Sequence, residues 1–349
     1  MGDSKWKCQL ISVMCKGGTP MTRHVLAILA LGALAAIPFA PSPQAAAQSS
    51  DLPLIDAHDH LQANTSAESI IKLMDLMEIS RMVLMALSWD PERGSDSQAL
   101  EYARRYPGRF IPFIGMQRPG SYVRPPWMDV NNKWAVATLA DVENKLKGGG
   151  FFGIGEIIVR HYDYRVINGP GELDNPPDSP VMLRLSELAT QYKVPMIIHA
   201  EGEPVAVAKM EHLMTAYPDA RIIWAHYCGR QSAARIRTLL GAHPNLYCDL
   251  AGMTGVVSYG TGWPRKEPWT FLVEDGAGHL LPEVQQLFEA FPDRFLGVGM
   301  DSAHYQTWGY FVPQVQRFRV LLSQLSPTTA NKMAHENAER LFGLSPNGK

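Results

Sequence analysis

The sequence predicts an α/β fold, a single (β/α)8 TIM barrel with extended βα loops. Three observations point there. Short apolar runs alternate along the chain with stretches of helical period, and parallel strands need such crossovers. The runs are nearly continuous in apolar residues, as strands are when helices cover both faces of their sheet. Titratable side chains close most of the runs, and in this barrel the strand ends share one face, where active sites lie. With 46% hydrophobic and 19% charged residues, the 349-residue chain has the composition of a folded core and not of a disordered one. A net charge of -2 offers no basic field to a nucleic acid.

The first 47 residues stand apart from the barrel. Val25–Phe39 is apolar and uncharged, but shorter than the roughly 20 residues of a spanning helix. Arg23 and His24 precede it, and Pro41-Ser42-Pro43 and Ala45-Ala46-Ala47 follow. A positive start, an apolar middle and an A-x-A exit read as a secretory signal peptide cleaved near Ala47. Met21 then stands as a second candidate initiator, and residues 1–20 as an upstream extension. An uncleaved membrane anchor is the alternative. Residues 48–349 are expected to form the barrel domain, periplasmic or secreted, with no membrane contact after cleavage. Of the four cysteines, Cys228 and Cys248 remain in that part. They are expected to be two small buried residues with free thiols, although the compartment permits a disulfide.

The expected strands are Leu54–His58, Arg81–Leu87, Phe110–Gly115, Phe152–Ile157, Pro195–His199, Arg221–His226, Leu246–Asp249 and Phe295–Asp301. Ile70, Leu73, Met74 and Met77 share one face of a helix after the first strand. Val205, Ala208, Met210, Leu213 and Tyr217 mark another. Ser326-Pro327 reads as an N-cap with proline at the first helical position. It opens a terminal helix through Phe342, closed by Gly343. An open doubly wound sheet is disfavoured, because no G-x-G-x-x-G opens the first unit. Three loops exceed what a bare barrel needs, Met116–Asn131, Val159–Ser179 and Leu250–Leu280. The last carries Tyr259, Trp263, Trp269 and Phe271, which suit an apolar wall over a site or a subunit contact.

The polar strand ends carry the chemistry. His58 and His60 project to one side of the first strand, because strand side chains alternate, and offer two nitrogens to one ion. Glu156, His199, His226 and Asp301 each follow an apolar strand. Such a cluster would repel its own charges and resist desolvation unless an ion compensates. Asp301, His304, Arg160, Trp263 and Arg265 lie where substrate is expected, but the arginines are equally ordinary surface residues. His161 and His279 lie in loops within reach of that face. His212 and His243 are expected to face solvent, and His335 to pack or cap.

These residues fall in IDAHDHL (55–61), GIGEI (153–157), PMIIHAE (195–201), IIWAHYCG (222–229), GVGMDS (297–302) and NAERLFGL (337–344). In this order, the segments resemble the amidohydrolase superfamily, specifically its amidohydrolase-2 branch of metal-dependent barrel hydrolases and decarboxylases. The resemblance spans nearly all of residues 48–349. It implies a divalent metal, zinc first, held by His58, His60 and His199. Asp301 is implied as ligand or general base, and His226 as ligand or polarising group. Glu156 replaces the lysine that bridges two metals in some members. It is similar to a ligand glutamate in TatD-like relatives, so one or two ions are implied, with Glu156 a ligand or an outer support. The last strand reads Met-Asp-Ser-Ala where many relatives carry Ser/Thr-Asp-x-Pro.

The expected activity is hydrolysis of a small ester, lactone or amide by a metal-activated water, with Asp301 and His226 catalytic. A metal-dependent non-oxidative decarboxylase on the same barrel is the alternative, and a non-catalytic binding protein the third. Asp301, in the place of a base, argues against the third. A homo-oligomer is left open.

Overall fold

The structure is a computed structural model and describes residues 52–61, 65–86, 95–116, 126–162, 172–256, 272–302 and 309–345. Residues 1–51, with the expected signal peptide, and Tyr259, Trp263, Arg265, Trp269, Phe271 and His304 lie outside these residues. The strands are β1 (Leu54–Asp56), β2 (His60–Leu61), β3 (Ile79–Ala86), β4 (Phe110–Ile114), β5 (Gly153–His161), β6 (Leu173–Asp174), β7 (Met196–Ala200), β8 (Ile222–Trp224), β9 (Leu246–Asp249) and β10 (Phe295–Leu296).

Eight of them form one parallel sheet in the order β1-β3-β4-β5-β7-β8-β9-β10. Beyond β10 the chain runs on beside the first strand. The Ala57 amide donates to Val298 O at 3.0 Å, and the Asp301 amide to His58 O at 2.9 Å. The curled sheet therefore meets its own first strand, which is the (β/α)8 barrel expected from the alternation of strands and helices.

Alternation of side chains divides the core into two layers. Met82, Leu84, Met196, Ile198, Ile222 and Trp224 pack outward with the helices. Their neighbours Val83, Met85, Ile111, Phe113, Ile197 and Ile223 fill the interior. Leu341 and Phe342 of the terminal helix join that interior cluster. Phe342 meets Phe113 edge-on at 5.2 Å between ring centroids. An apolar floor thus leaves the opposite, carboxyl end of the strands to polar groups.

Helices begin where serine caps occur. Ser66, Ser95, Ser179, Ser232 and Ser326 each accept the amide of the residue three positions on. The terminal segment runs Pro327–Asn331, a π turn Lys332–Glu336, and Asn337–Phe342, with Gly343 left-handed at φ 65°. Helix 204–216 buries Ala206, Val207, Met210, Leu213 and Met214 and leaves Val205 67% exposed. Met210 and Leu213 face inward as expected, whereas Val205 and Ala208 are exposed and Ala206, Val207 and Met214 take their place.

Strand boundaries also differ from expectation, and β1 and β10 end at Asp56 and Leu296, so His58 and Asp301 stand beyond them. β5 continues to His161, because β6 pairs with it antiparallel at Arg160↔Asp174 and His161↔Leu173. Glu156 therefore lies within the strand, and Arg160 belongs to it and not to a loop. β8 stops at Trp224, so His226 stands just beyond it. The third long loop is pinned at its stems, where the Val273 amide donates to Met253 O at 3.1 Å and the Gly255 amide to Glu274 Oε1 at 2.6 Å.

Candidate metal centre

His58, His60, Glu156, His199, His226 and Asp301 converge at the carboxyl end of the strands. His60 Nε2 lies 3.3 Å from Asp301 Oδ1 and 3.6 Å from Glu156 Oε2. His58 Nε2 lies 3.8 Å from Glu156 Oε1 and 3.9 Å from Asp301 Oδ1. His199 Nδ1 and His226 Nε2 approach Glu156 Oε1 at 3.0 and 3.2 Å, and each other at 2.9 Å. Asp301 is the most open of the six, with 13% of its side chain exposed. The ligand atoms of His58, His60 and Asp301, and of His58, Glu156 and His226, form two groups that could each hold a metal ion.

The far nitrogen of three imidazoles fixes what the near one presents. His58 Nδ1 donates to Asp249 Oδ2 at 2.9 Å, His199 Nε2 to Glu201 Oε1 at 3.1 Å, and His226 Nδ1 to the Ala251 carbonyl at 2.9 Å. Each ring then turns its other nitrogen inward, where it can bind an ion when that nitrogen is deprotonated, which is the arrangement of metal-bound histidines and their outer partners. Two of these nitrogens and a carboxylate oxygen face one another at about hydrogen-bond distance. Acceptors that close repel unless a positive charge sits among them. His58 Nε2 is buried without a hydrogen-bond partner. The donor set therefore fits a divalent cation, with nitrogen and carboxylate ligands of the kind that hold zinc and its neighbours.

Protonation follows the same pattern. Burial and the His226 ring push His199 well below the usual imidazole range, which keeps it neutral. Burial opposes a charge on His58, but Asp249, Glu156 and Asp301 outweigh it and push the ring up to about 10. Burial would raise Glu156, yet its contacts with His199 and His226 and the charge of His58 hold it well below the usual carboxylate range. Asp301 is also held low against burial, by its hydrogen bond with His60 and by the neighbouring imidazoles. Positive charge at the centre is favoured, and both carboxylates stay ionised to face it.

A left-handed turn places His226. The φ angles of His226, Tyr227, Cys228, Gly229 and Arg230 are 56°, 54°, 50°, 72° and 62°. Each non-glycine residue there costs roughly 1–2 kcal/mol. Gly229 is required twice over, because a Cβ would also stand 2.5 Å from Ala200 O. Cys228 is disulfide-bonded to Cys248 across a Cα–Cα distance of 5.0 Å. The expectation of two free thiols is thereby corrected. β8 and β9 pair side by side, and the turn brings Cys228 back over Cys248.

Several supporting residues went unread in the sequence. Asp249 ends an expected strand, and the rule that singled out Glu156 and Asp301 applies to it. It also accepts the His226 amide at 2.9 Å through Oδ1. Asp59, between the two histidines, accepts the His60 and Ser302 amides at 2.7 and 2.8 Å. Glu201 lies two residues beyond His199 and accepts from Arg230 Nη1 at 2.8 Å. No pattern announces Arg230, because it ends a left-handed turn.

Other expected residues are placed differently. Arg160 is buried and ion-paired with Glu203 and Glu172, and it donates to Leu173 O at 2.8 Å. Its charge is met within the protein. His161 is buried with its ring centroid 4.9 Å from that of His199. His243, expected in solvent, is buried as the C-cap of helix 233–242. His212 is exposed beside Asp178, His279 beside Asp275, and His335 pairs with Glu339 on the terminal segment.

A family model described as amidohydrolase matches residues 89–344. The chain belongs to the amidohydrolase-2 family. It is therefore an enzyme of a family that holds both hydrolases and decarboxylases. The solved structure of a putative amidohydrolase from Staphylococcus aureus is similar at a TM-score of 0.51 and 16% identity, over 84% of this chain and 100% of that one. An amidohydrolase from Burkholderia multivorans with bound zinc gives 0.50 at 15%, over 84% and 99%. A putative 2-pyrone-4,6-dicarboxylic acid hydrolase from Pseudomonas putida gives 0.50 at 17%, over 84% and 98%. At these identities the likeness is one of fold. No curated protein matches the chain. The match of the amidohydrolase model begins after β1, so His58 and His60 enter the centre on the geometry alone.

Proposed function

We propose that this amidohydrolase is an exported, metal-dependent hydrolase of a small ester, lactone or amide. The observation that carries the reading is the inward-facing nitrogen of His58, His199 and His226, each ring with a fixed acceptor behind it. Those three rings, with His60, Glu156 and Asp301, would hold one or two divalent ions, zinc first. When bound, such an ion supplies Lewis acidity and lowers the pKa of a water from 15.7 to about 7.

The chain's own residues do the rest. Asp301 is ionised and the most open of the six, so its carboxylate can accept a proton from an attacking water. His226 would offer the lone pair of Nε2 to the ion, next to where a carbonyl oxygen would be polarised. Its Nδ1–H is held by Ala251 O, so the ring does not rotate as charge builds. Asp249 and Glu201 keep the neighbouring rings in one tautomer. The Cys228–Cys248 bond supports export, because such bonds persist in oxidising compartments.

The test is a panel of neutral esters, lactones and amides given to metal-replete enzyme, with acid release followed at constant pH. Turnover that is lost on chelation and restored by metal supports the reading. Carbon dioxide release from an aromatic or unsaturated acid, with no panel member hydrolysed, would replace it with decarboxylation.

A further inference from the structure

The left-handed turn serves two imidazoles. Its first histidine, His226, aims Nε2 at Glu156 and His199. Its last residue, Arg230, donates to Glu201 at 2.8 Å, and Glu201 accepts His199 Nε2 at 3.1 Å. The turn does not form from local preference. Four of its five left-handed residues carry a Cβ that disfavours this conformation, and only Gly229 adopts it freely.

Contacts with neighbouring segments oppose that preference. Besides those of His226 and Arg230, Gln231 Nε2 donates to Cys228 O at 2.6 Å, and the Gly202 amide to Gly229 O at 3.0 Å. The covalent fastener is the Cys228–Cys248 bond. The sheet does not need it, since β8 and β9 already pair at Ile222↔Leu246, Ile223↔Tyr247 and Trp224↔Cys248. Trp224 stands beside Cys248, and four extended residues further on the chain would be about 13 Å away. Cys228 instead lies 5.0 Å from Cys248 between Cα atoms. The bond closes the turn. Cys248 also precedes Asp249, which accepts from the His226 amide and His58 Nδ1. One covalent link thus joins the segments that orient all three rings.

We propose that Cys228 and Cys248 are positioning residues of the centre, whose bond keeps His226, and His199 through Arg230 and Glu201, aimed at one point. The oxidised chain takes up a divalent cation, and the dithiol chain takes it up far more weakly. This rests on reading the cluster as a metal centre. Reduction breaks one S–S bond and forms two S–H groups. An added dithiol supplies both electrons and both protons and closes to its own disulfide.

The test compares the oxidised chain with the double variant Cys228→Ala/Cys248→Ala, each stripped with chelator and titrated with Co2+. The readouts are Co2+ affinity and the visible absorption of the bound ion, well below either melting temperature. The inference expects affinity to fall at least about tenfold, the loss typical when an outer partner of a metal-bound imidazole is disturbed. It also expects a changed absorption band with unchanged far-ultraviolet circular dichroism. A bond that only stabilises the fold would lower Tm and leave both readouts alone, which would overturn the inference. If the double variant does not fold, the oxidised chain is reduced in place with dithiothreitol and then reoxidised. Affinity lost and recovered supports the inference, whereas unchanged affinity, or unfolding on reduction, overturns it. An oxidised chain that binds no Co2+ defeats the metal reading itself, a failure distinct from equal binding by both forms.

Discussion

His58 donates Nδ1–H to Asp249 Oδ2 at 2.9 Å, with both side chains fully buried. This pair joins the first strand to the seventh strand of the barrel and decides which nitrogen of His58 faces the centre. Asp249→Asn keeps the volume but can offer an amide N–H where an acceptor is needed. Metal affinity is expected to fall about 10–100-fold, with the circular dichroism spectrum retained. Calorimetric metal titration of the two proteins checks this. Equal affinities would mean that Asp249 serves only the backbone.

Asp301→Asn separates the base from the ligands. The account expects kcat to fall by about 10²–10⁴-fold, the range for loss of a positioned base. KM should change little, and the five remaining ligands should retain at least part of the metal. Loss of the ion along with the activity would recast Asp301 as chiefly a ligand. Steady-state kinetics beside elemental analysis distinguishes the two.

The barrel floor gives a prediction about stability. Phe342 is buried against Phe113 inside the sheet. Phe342→Ala leaves a cavity there and should cost about 3–5 kcal/mol. Urea unfolding measures it, and a loss under 1 kcal/mol would mean that the terminal helix does not seal the barrel.

Glu289 links pH to that same helix. Its carboxylate accepts the Ser326 amide at 2.6 Å, Ser326 Oγ at 2.8 Å and Thr329 Oγ1 at 2.6 Å. Burial raises its pKa, but these hydrogen bonds outweigh burial and hold it below the ordinary value. A lowered carboxylate contributes stability above its unfolded pKa, and that contribution is lost as pH falls through the folded value. The site is exposed, so Glu289→Gln should cost about 1 kcal/mol or less at pH 7. The two proteins should converge as pH falls below the ordinary carboxylate range. Urea midpoints across this range check it, and a constant difference would contradict the assignment.

Much of this arrangement was legible in the residues. Apolar runs and their polar ends placed the strands, and His58, His60, Glu156, His199, His226 and Asp301 meet where those ends meet. What was not legible depends on groups distant in sequence. The extension of β5 to Arg160 comes from a partner strand at Leu173–Asp174. Arg160 looked free because Glu172 and Glu203, which neutralise it, are brought to it only by folding. The left-handed turn at His226–Arg230 opposes local preference, so no local pattern reports it. The Cys228–Cys248 bond depends on that turn and was missed with it. Asp249 was within reach, since it ends an apolar strand as Asp301 does.

The inward-facing nitrogens and carboxylates are proposed to hold one or two divalent ions. Metal content per chain, measured on natively purified protein and again after chelation and reloading, tests it most directly. The account predicts one or two ions per chain, lost with activity on chelation, restored by added metal, and lost again in His58→Ala. A ratio near two would make Glu156 a shared ligand. A natively purified and reloaded chain that binds no divalent ion, yet keeps full activity, would contradict the account.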